Sequence, residues 1–505
     1  MRRLGLALGL AAIASCGGGA SCPRSAAPSS ASAPAIFRDL LLQPADCKTP
    51  PRPTVTRAGA MADLAVLERV VTRGWAGYEV RRAGGVDFAA AFAALRRFVE
   101  GAAEPISVEI FRDRVVDALR PANDGHFALF GFTETGGHSG RRSLSAPGDT
   151  YTADLALDDE STILEGPHAG GKLVVCVGHA TGALFRPSLS ARLGRERRPI
   201  VVSATPPPPL RCVIDSPGAR PIEIPMRKLR LREPPDKAPR EPAFERTHGV
   251  VPRLRVRTFW GAKHKELTSF VASAPDVRRS PAATIDLRGN EGGADAYAVD
   301  WLAGLTQGPL VGYRVSRLDS EVTRQGIVNE NTCALAEGIA DDEARRDVEE
   351  RLAYGNRVVA EAEREGKPVH AWIERQRSAE GKAPSPYAAP LVVLVDRACA
   401  SACESFVLHA RQLPRAIVVG ESTAGVGAFA EVLVYRLPAT GLGVSAGMKR
   451  FAPPPIGADF EESRGYAPDL YLDADDPPAV VAALAECLVK KTCALADMVV
   501  SRPGR

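Results

Sequence analysis

The stretch that most constrains the fold is Pro390–Phe406, reading PLVVLVDRACASACESF. Five apolar residues, Leu391–Val395, stop at Asp396, a turn of small residues follows, and helical spacing begins after it. The pattern is strand, tight turn, helix, with Ser401 at the turn. A serine there sits where helix amides point outward and the helix dipole favours developing negative charge. A strand-to-helix turn can also hold a hydroxyl exposed for attack on a carbonyl. Capping of the helix is the competing role for the same residue, because serine is among the preferred N-caps.

A second segment repeats the pattern. Ala282–Leu287 is apolar, leads into Asp286-Leu287-Arg288-Gly289-Asn290-Glu291-Gly292-Gly293, and is followed by a predicted helix over Asp295–Leu305. The glycine pair lets backbone amides approach a ligand without side-chain obstruction. The segment lacks the GK[ST] ending of a P-loop and the spacing of a dinucleotide fingerprint. The net charge, +4 over 505 residues, gives no basic surface for nucleic acid. No CxxC pair or HExxH helix is present, so neither a metal site nor a cofactor is expected. A composition of 45% hydrophobic and 25% charged residues fits a globular chain of two to four domains.

The N-terminus carries an export pattern. Arg2 and Arg3 precede an apolar run, Leu4–Ile13, that is too short to span a bilayer. The run ends Ile13-Ala14-Ser15-Cys16, which resembles the lipobox of bacterial lipoproteins. That resemblance implies a signal peptide over 1–15 and a lipid anchor on Cys16 that holds the chain to a membrane, facing the periplasm or the cell surface. A plain signal peptide cut nearby would also export the chain. Nine cysteines follow Cys16, and disulfides are permitted after export. Nine is odd, so one is free or pairs outside the chain. Cys176–Cys212 and Cys487–Cys493 are candidate local bridges. Cys399 and Cys403 flank Ser401 and read as small buried packing residues, with a cysteine nucleophile as the alternative.

In chain order, 16–57 is an Ala/Ser/Pro-rich tether. Three apolar stripes at helical spacing follow: Leu64, Leu67 and Val71 with Trp75 further along; Phe88, Phe92, Leu95 and Val99; and Phe111, Val115 and Leu119 behind Ser107 as N-cap. They predict a helical bundle over 58–122. Asn123-Asp124-Gly125-His126-Phe127 marks a turn into a strand, and a β-rich domain over 123–248 includes it. The region 249–475 alternates strands and helices, with a charged helical insertion at about 320–384 that reads as solvated or as a lid. A helix and tail fill 476–505.

Three separated segments then match one family in order. Asp286–Gly293 (DLRGNEGG), Cys399–Phe406 (CASACESF) with Val418–Gly425 (VVGESTAG), and Glu462–Asp469 (ESRGYAPD) resemble the tail-specific, or C-terminal processing, serine peptidases, whose relatives include the tricorn core protease and a retinoid-binding protein. The resemblance covers about Val250–Ala474. It implies an α/β fold with a crotonase-like ββα core, Ser401 as nucleophile, and an oxyanion hole from the amides of Ala402 and of Gly292 or Gly293. One branch of the family takes its base from a lysine in the turn that here reads Gly420–Gly427, and Val426 stands at that position. The tricorn-like branch uses an upstream histidine and a glutamate, which fall on His126 and Glu462, with Glu461 as the neighbouring alternative. Ala402 stands where tricorn has an acidic residue, so no basic preference is expected. The implied function is an exported, membrane-tethered serine peptidase acting on protein or peptide substrates. A binding protein on the same fold, and an esterase or amidase, are the other readings.

Overall fold

In the computed structural model the strand Leu391–Val395 lies in the middle of an eight-stranded sheet. Residues 36–495 are described, apart from 146–147, 166–167, 191–192, 216–220, 230, 232–241, 307–309, 340, 377–386, 453–458 and 494. The signal segment, Cys16 and Cys22 lie outside the described residues.

The sheet runs Phe244–Thr247, Arg253–Val256, Ala283–Asp286, Leu391–Val395, Ala416–Gly420, Leu470–Leu472, Phe185–Leu189, Arg195–Pro199. The six inner strands are mutually parallel, and the two edge strands are antiparallel to their neighbours. A parallel sheet is covered on both faces, which is why its central strand is apolar without interruption. Successive side chains serve opposite faces: Leu391, Val393 and Val395 join a core with Trp301 and Phe406, while Val392 and Leu394 join one with Leu484 and Leu488 of the helix Pro477–Lys490.

A second, six-stranded sheet orders His370–Gln376, Arg314–Ser320, Gly443–Ala452, Ala128–Phe132 and His138–Ser143, with Phe429–Arg436 also paired to Gly443–Ala452. The predicted helices pack on it. They span Arg57–Arg69, Phe88–Gly101 and Val108–Leu119, and Thr56, Asp87 and Ser107 cap their first turns. Their stripe residues share one core with Phe127, Leu129 and Val444. Trp75 departs from the expected stripe. It follows a π-turn, Val70–Gly74, in extended backbone, and its indole N–H reaches Asp124 Oδ2 at 2.6 Å.

The strands between 123 and 248 are shared out among sheets. Ala128–Phe132 belongs to the six-stranded sheet, Phe185–Leu189 and Arg195–Pro199 extend the eight-stranded one, and Lys172–Cys176 pairs Leu210–Asp215 in a sheet of its own. Alternation marks a strand but not its partner, so this distribution is not visible in the sequence. The segment from 320 is likewise woven in. Helix Glu321–Glu337 is largely buried, and its Gln325 and Asn329 accept hydrogen bonds from Leu40 N and Leu42 N. The charged helix that follows, Asp342–Glu365, buries Val348, Gly355, Val359 and Ala362. The solvated reading therefore fits only its outer face. Four disulfides form among the described residues: Cys47–Cys333, Cys176–Cys212, Cys399–Cys403 and Cys487–Cys493. Both expected local bridges are present, and Cys399 and Cys403 are buried as expected but bonded to each other. No helix among the described residues is long and apolar enough to cross a membrane.

Candidate active site

Three turns leave the same edge of the eight-stranded sheet. Ala283–Asp286, Leu391–Val395 and Ala416–Gly420 are parallel and in register, with Asp286 opposite Leu394 and Val395 opposite Gly420, so the turns that follow them converge. The first two are laced together through their backbones: Ala400 N–H donates to Asn290 O at 3.1 Å, and Gly289 N–H donates to the Asp396 carboxylate at 3.1 Å.

Ser401 is the last residue before the helix Ala402–Ala410 and has φ 55°, ψ −115°. A non-glycine residue held in a sparsely populated region costs about 1–3 kcal/mol, which surrounding contacts must offset. Glu404, fully buried, supplies several of them. Its carboxylate accepts from Ser401 N (3.1 Å), Thr423 Oγ1 (2.6 Å), Gly425 N (2.7 Å) and Val426 N (2.8 Å). Burial pushes the Glu404 pKa up, and these four donors pull it back down.

Gly292 faces the serine. A Cβ there would lie 2.6 Å from Ala400 O, 2.9 Å from Ser401 Cβ and 3.0 Å from Ala402 N, and φ is 99°. Glycine is thus required both by conformation and by the close approach of Ser401. The Gly292 N–H is already given to Asn290 Oδ1 at 2.9 Å. Among the described residues neither the Gly293 N–H nor the Ala402 N–H has a protein partner. Of the two glycines, Gly293 therefore offers the open amide, and Ala402 offers the other at the helix N-terminus.

His126 comes from the other sheet, just before the strand Ala128–Phe132. Its Nδ1 is hydrogen-bonded to the Phe429 carbonyl, so Nδ1 carries the proton and Nε2 is left as the basic nitrogen. Asp124 is fully buried, and its Oδ1 accepts from His126 N at 2.7 Å. Burial lowers the His126 pKa, the Asp124 charge raises it, and Arg141 lowers it further.

Glu462 is buried. Its carboxylate accepts from Gly125 N at 3.3 Å and Ala428 N at 2.9 Å, and bonds neither the His126 ring nor Ser401. It brackets the histidine through the residues before His126 and Phe429. Burial first, and the Asp124 charge second, push its pKa up to about 8. Its neighbour Glu461 instead pairs with Arg464 at the surface. His409 lies deep in the helix, with Nδ1 hydrogen-bonded to Ser405 O.

The two halves meet at Val426. A Cβ on Gly125 would fall 2.5 Å from Val426 Cγ2, while the Val426 N–H bonds the same Glu404 oxygen that takes the Ser401 N–H. Arg397 adds a clamp: its guanidinium donates to the carbonyls of Thr423, Ser463 and Arg464, joining the Gly420–Gly427 turn to the Glu462 loop. Sequence reasoning assigned no role to Glu404, Asn290, Asp124 or Arg397. Only Glu404 had a local signal, because a glutamate three residues after a serine is a capping-box spacing. Among the described residues no cluster of three or more His, Cys, Asp or Glu side chains is set to hold a metal ion.

Residues 251–472 match the family described as Peptidase family S41. No curated protein matches the chain. The chain is similar to the solved structure of mature CPAF, at 16% identity over 88% of this chain and 99% of that one, with a TM-score of 0.45. It is also similar to the photosystem II D1 C-terminal processing protease, at 15% identity over 85% and 97%, with a TM-score of 0.34. The tricorn protease matches at 13% identity over 79% of this chain and 34% of that one, with a TM-score of 0.30.

Proposed function

Because the chain carries a serine peptidase domain of family S41, we propose that it hydrolyses peptide bonds with Ser401 as nucleophile, His126 as base and Glu462 as the carboxylate that positions the base. On this reading the core is crotonase-like, and Cys16 anchors the exported enzyme to a membrane. The four disulfides fit an oxidising compartment.

The observation that carries the reading is the conjunction at Ser401: a strained left-handed serine, two open amides at Ala402 and Gly293, and Gly292 packed on its Cβ. His126 Nε2 removes the hydroxyl proton as Oγ attacks the carbonyl carbon. The oxyanion is met by the Ala402 and Gly293 amides and by the positive end of the nine-residue helix. The imidazolium then protonates the leaving amine, and water, deprotonated by the same nitrogen, releases the acyl group. Asp124 stabilises the transient positive charge. Glu462 holds the backbone on both sides of the imidazole and so acts on the base through Gly125 and Ala428. Val426 packs against Gly125 where the lysine-based branch would place its base, which supports histidine in that role.

The test is labelling with a fluorophosphonate and mapping of the adduct by mass spectrometry. An adduct on Ser401 that is lost in Ser401→Ala and slowed sharply in His126→Ala is the expected result. Labelling of Ser401 at full rate without His126 would remove the histidine from the mechanism.

A further inference from the structure

The serine turn is closed by a bond that the mechanism above does not use. Cys399 and Cys403 are four residues apart, their Cα atoms are 5.2 Å apart, and Ser401 is the middle residue of the ring they close. Both half-cystines are fully buried. A disulfide across so short a segment removes less chain entropy than one that closes a long loop. A thiol in solution has no path to either sulfur in the folded chain, which argues against a redox switch.

Its geometry points instead to Ser401. If Cys399, Ala400 and Ser401 all took right-handed helical angles, the helix would extend backwards through Cys399. Ala402 N–H would then turn onto the Ala398 carbonyl, and the open amide would be lost. In such a helix the Cβ atoms of residues four apart are about 5–6 Å apart. A disulfide needs them at about 3.5–4.5 Å. The bond and the relaxed helix exclude each other.

We propose that the Cys399–Cys403 disulfide is a positioning clip for catalysis, which bars the nucleophile turn from relaxing into helix and so keeps the Ser401 hydroxyl presented and the Ala402 amide open. The proposal rests on Ser401 being the nucleophile. Glu404 and the Asn290 carbonyl hold the same turn from outside, through Ser401 N and Ala400 N. The disulfide holds it from within.

The experiment compares the wild-type chain with Cys399→Ala, Cys403→Ala and the double variant. It reads the rate of fluorophosphonate labelling at Ser401, kcat and KM on a peptide substrate, and thermal melting. Cys176→Ala/Cys212→Ala serves as the control for loss of a distant disulfide. The expected result is the same loss in all three variants, about 10- to 100-fold in labelling rate and kcat with KM nearly unchanged, because either substitution breaks the one bond. Losses that multiply in the double variant would assign the effect to packing and overturn the clip. So would labelling at the wild-type rate. Should the alanine pair melt below assay temperature, Cys399→Ser/Cys403→Ser keeps side-chain size and is judged by the same criteria. A folded wild-type chain that takes no label on Ser401 overturns both the nucleophile and the clip, whereas a labelled wild type with unaffected variants overturns the clip alone.

Discussion

The serine turn and the histidine turn are held in opposite ways. Ser401 is fixed by its own neighbourhood: Glu404 three residues on, Asp396 ending the strand before it, and a glycine turn on the adjacent strand. His126 is fixed from afar. Its ring bonds the carbonyl of Phe429, its turn is held by Glu462, and the carboxylate beneath it is held by Trp75. The proposed nucleophile is therefore held by one strand–turn–helix unit and the turns directly beside it, and the proposed base is assembled only when the second sheet, the helices and the loop before Leu470 are all in place.

The sharpest test of this contrast is on the histidine side. His126→Ala should lower kcat by about 10⁴-fold while Ser401 keeps its backbone geometry, since none of the turn's own contacts involves the imidazole. A crystal structure of that variant with Ser401 displaced would show that the two halves are not independent. Next comes Gly292→Ala. Its Cβ would intrude on Ser401 and on the Ala402 amide, so a loss of about 10²–10³-fold in kcat, with KM little changed, is expected from steady-state kinetics. A kcat within tenfold of wild type would place the oxyanion elsewhere.

Glu404→Gln tests the local half. Each carboxylate oxygen takes two of the four donors, so an amide nitrogen in place of either one leaves two donors without their acceptor and turns its own N–H₂ on them, which costs about 1–3 kcal/mol of stability for each buried group left unpaired. Denaturant titration should show that loss together with slower labelling of Ser401. A destabilised variant with normal labelling would reduce Glu404 to scaffolding.

The smallest effect is a shift in pH. In the proposed mechanism His126 works as a neutral imidazole, and burial pushes its pKa below the usual 6.5, so kcat/KM should fall on acidification with its midpoint below 6.5. The sign for stability is the same: the unfolded chain takes the proton first, so stability falls as pH drops through this range. Asp124→Asn removes the charge that raises the imidazole pKa and should move the midpoint lower still. A midpoint that moves up, or stays, would show that Asp124 does not act on the ring by charge.

The same contrast explains what the sequence disclosed. Leu391–Val395, the turn after it and the Asp286–Gly293 segment are contiguous signals, and the structure places them side by side at one sheet edge. The three helices before residue 120 were legible because each carries a complete apolar stripe and a capping residue. The route from those stripes to Trp75 was not, because the π-turn breaks the helical period. The Asp124 carboxylate looked like part of a turn, and nothing near it in sequence announces the indole 49 positions upstream that it accepts from. Glu462 was reached by resemblance, but its contact with the backbone of Gly125 rather than the imidazole depends on two loops meeting and has no local signature.

The strand Leu470–Leu472 has Ala416–Gly420 on one side and Phe185–Leu189 on the other. The latter arrives from a part of the chain nearly 300 residues earlier. Deleting the stretch around it, as one would a detachable accessory domain, would leave a bare strand edge next to the turn after Gly420. Bare edges recruit other chains. The β-rich region in this sense shields the eight-stranded sheet from self-association, and trimming it should show first in sedimentation, as aggregates, before it shows in any change of activity.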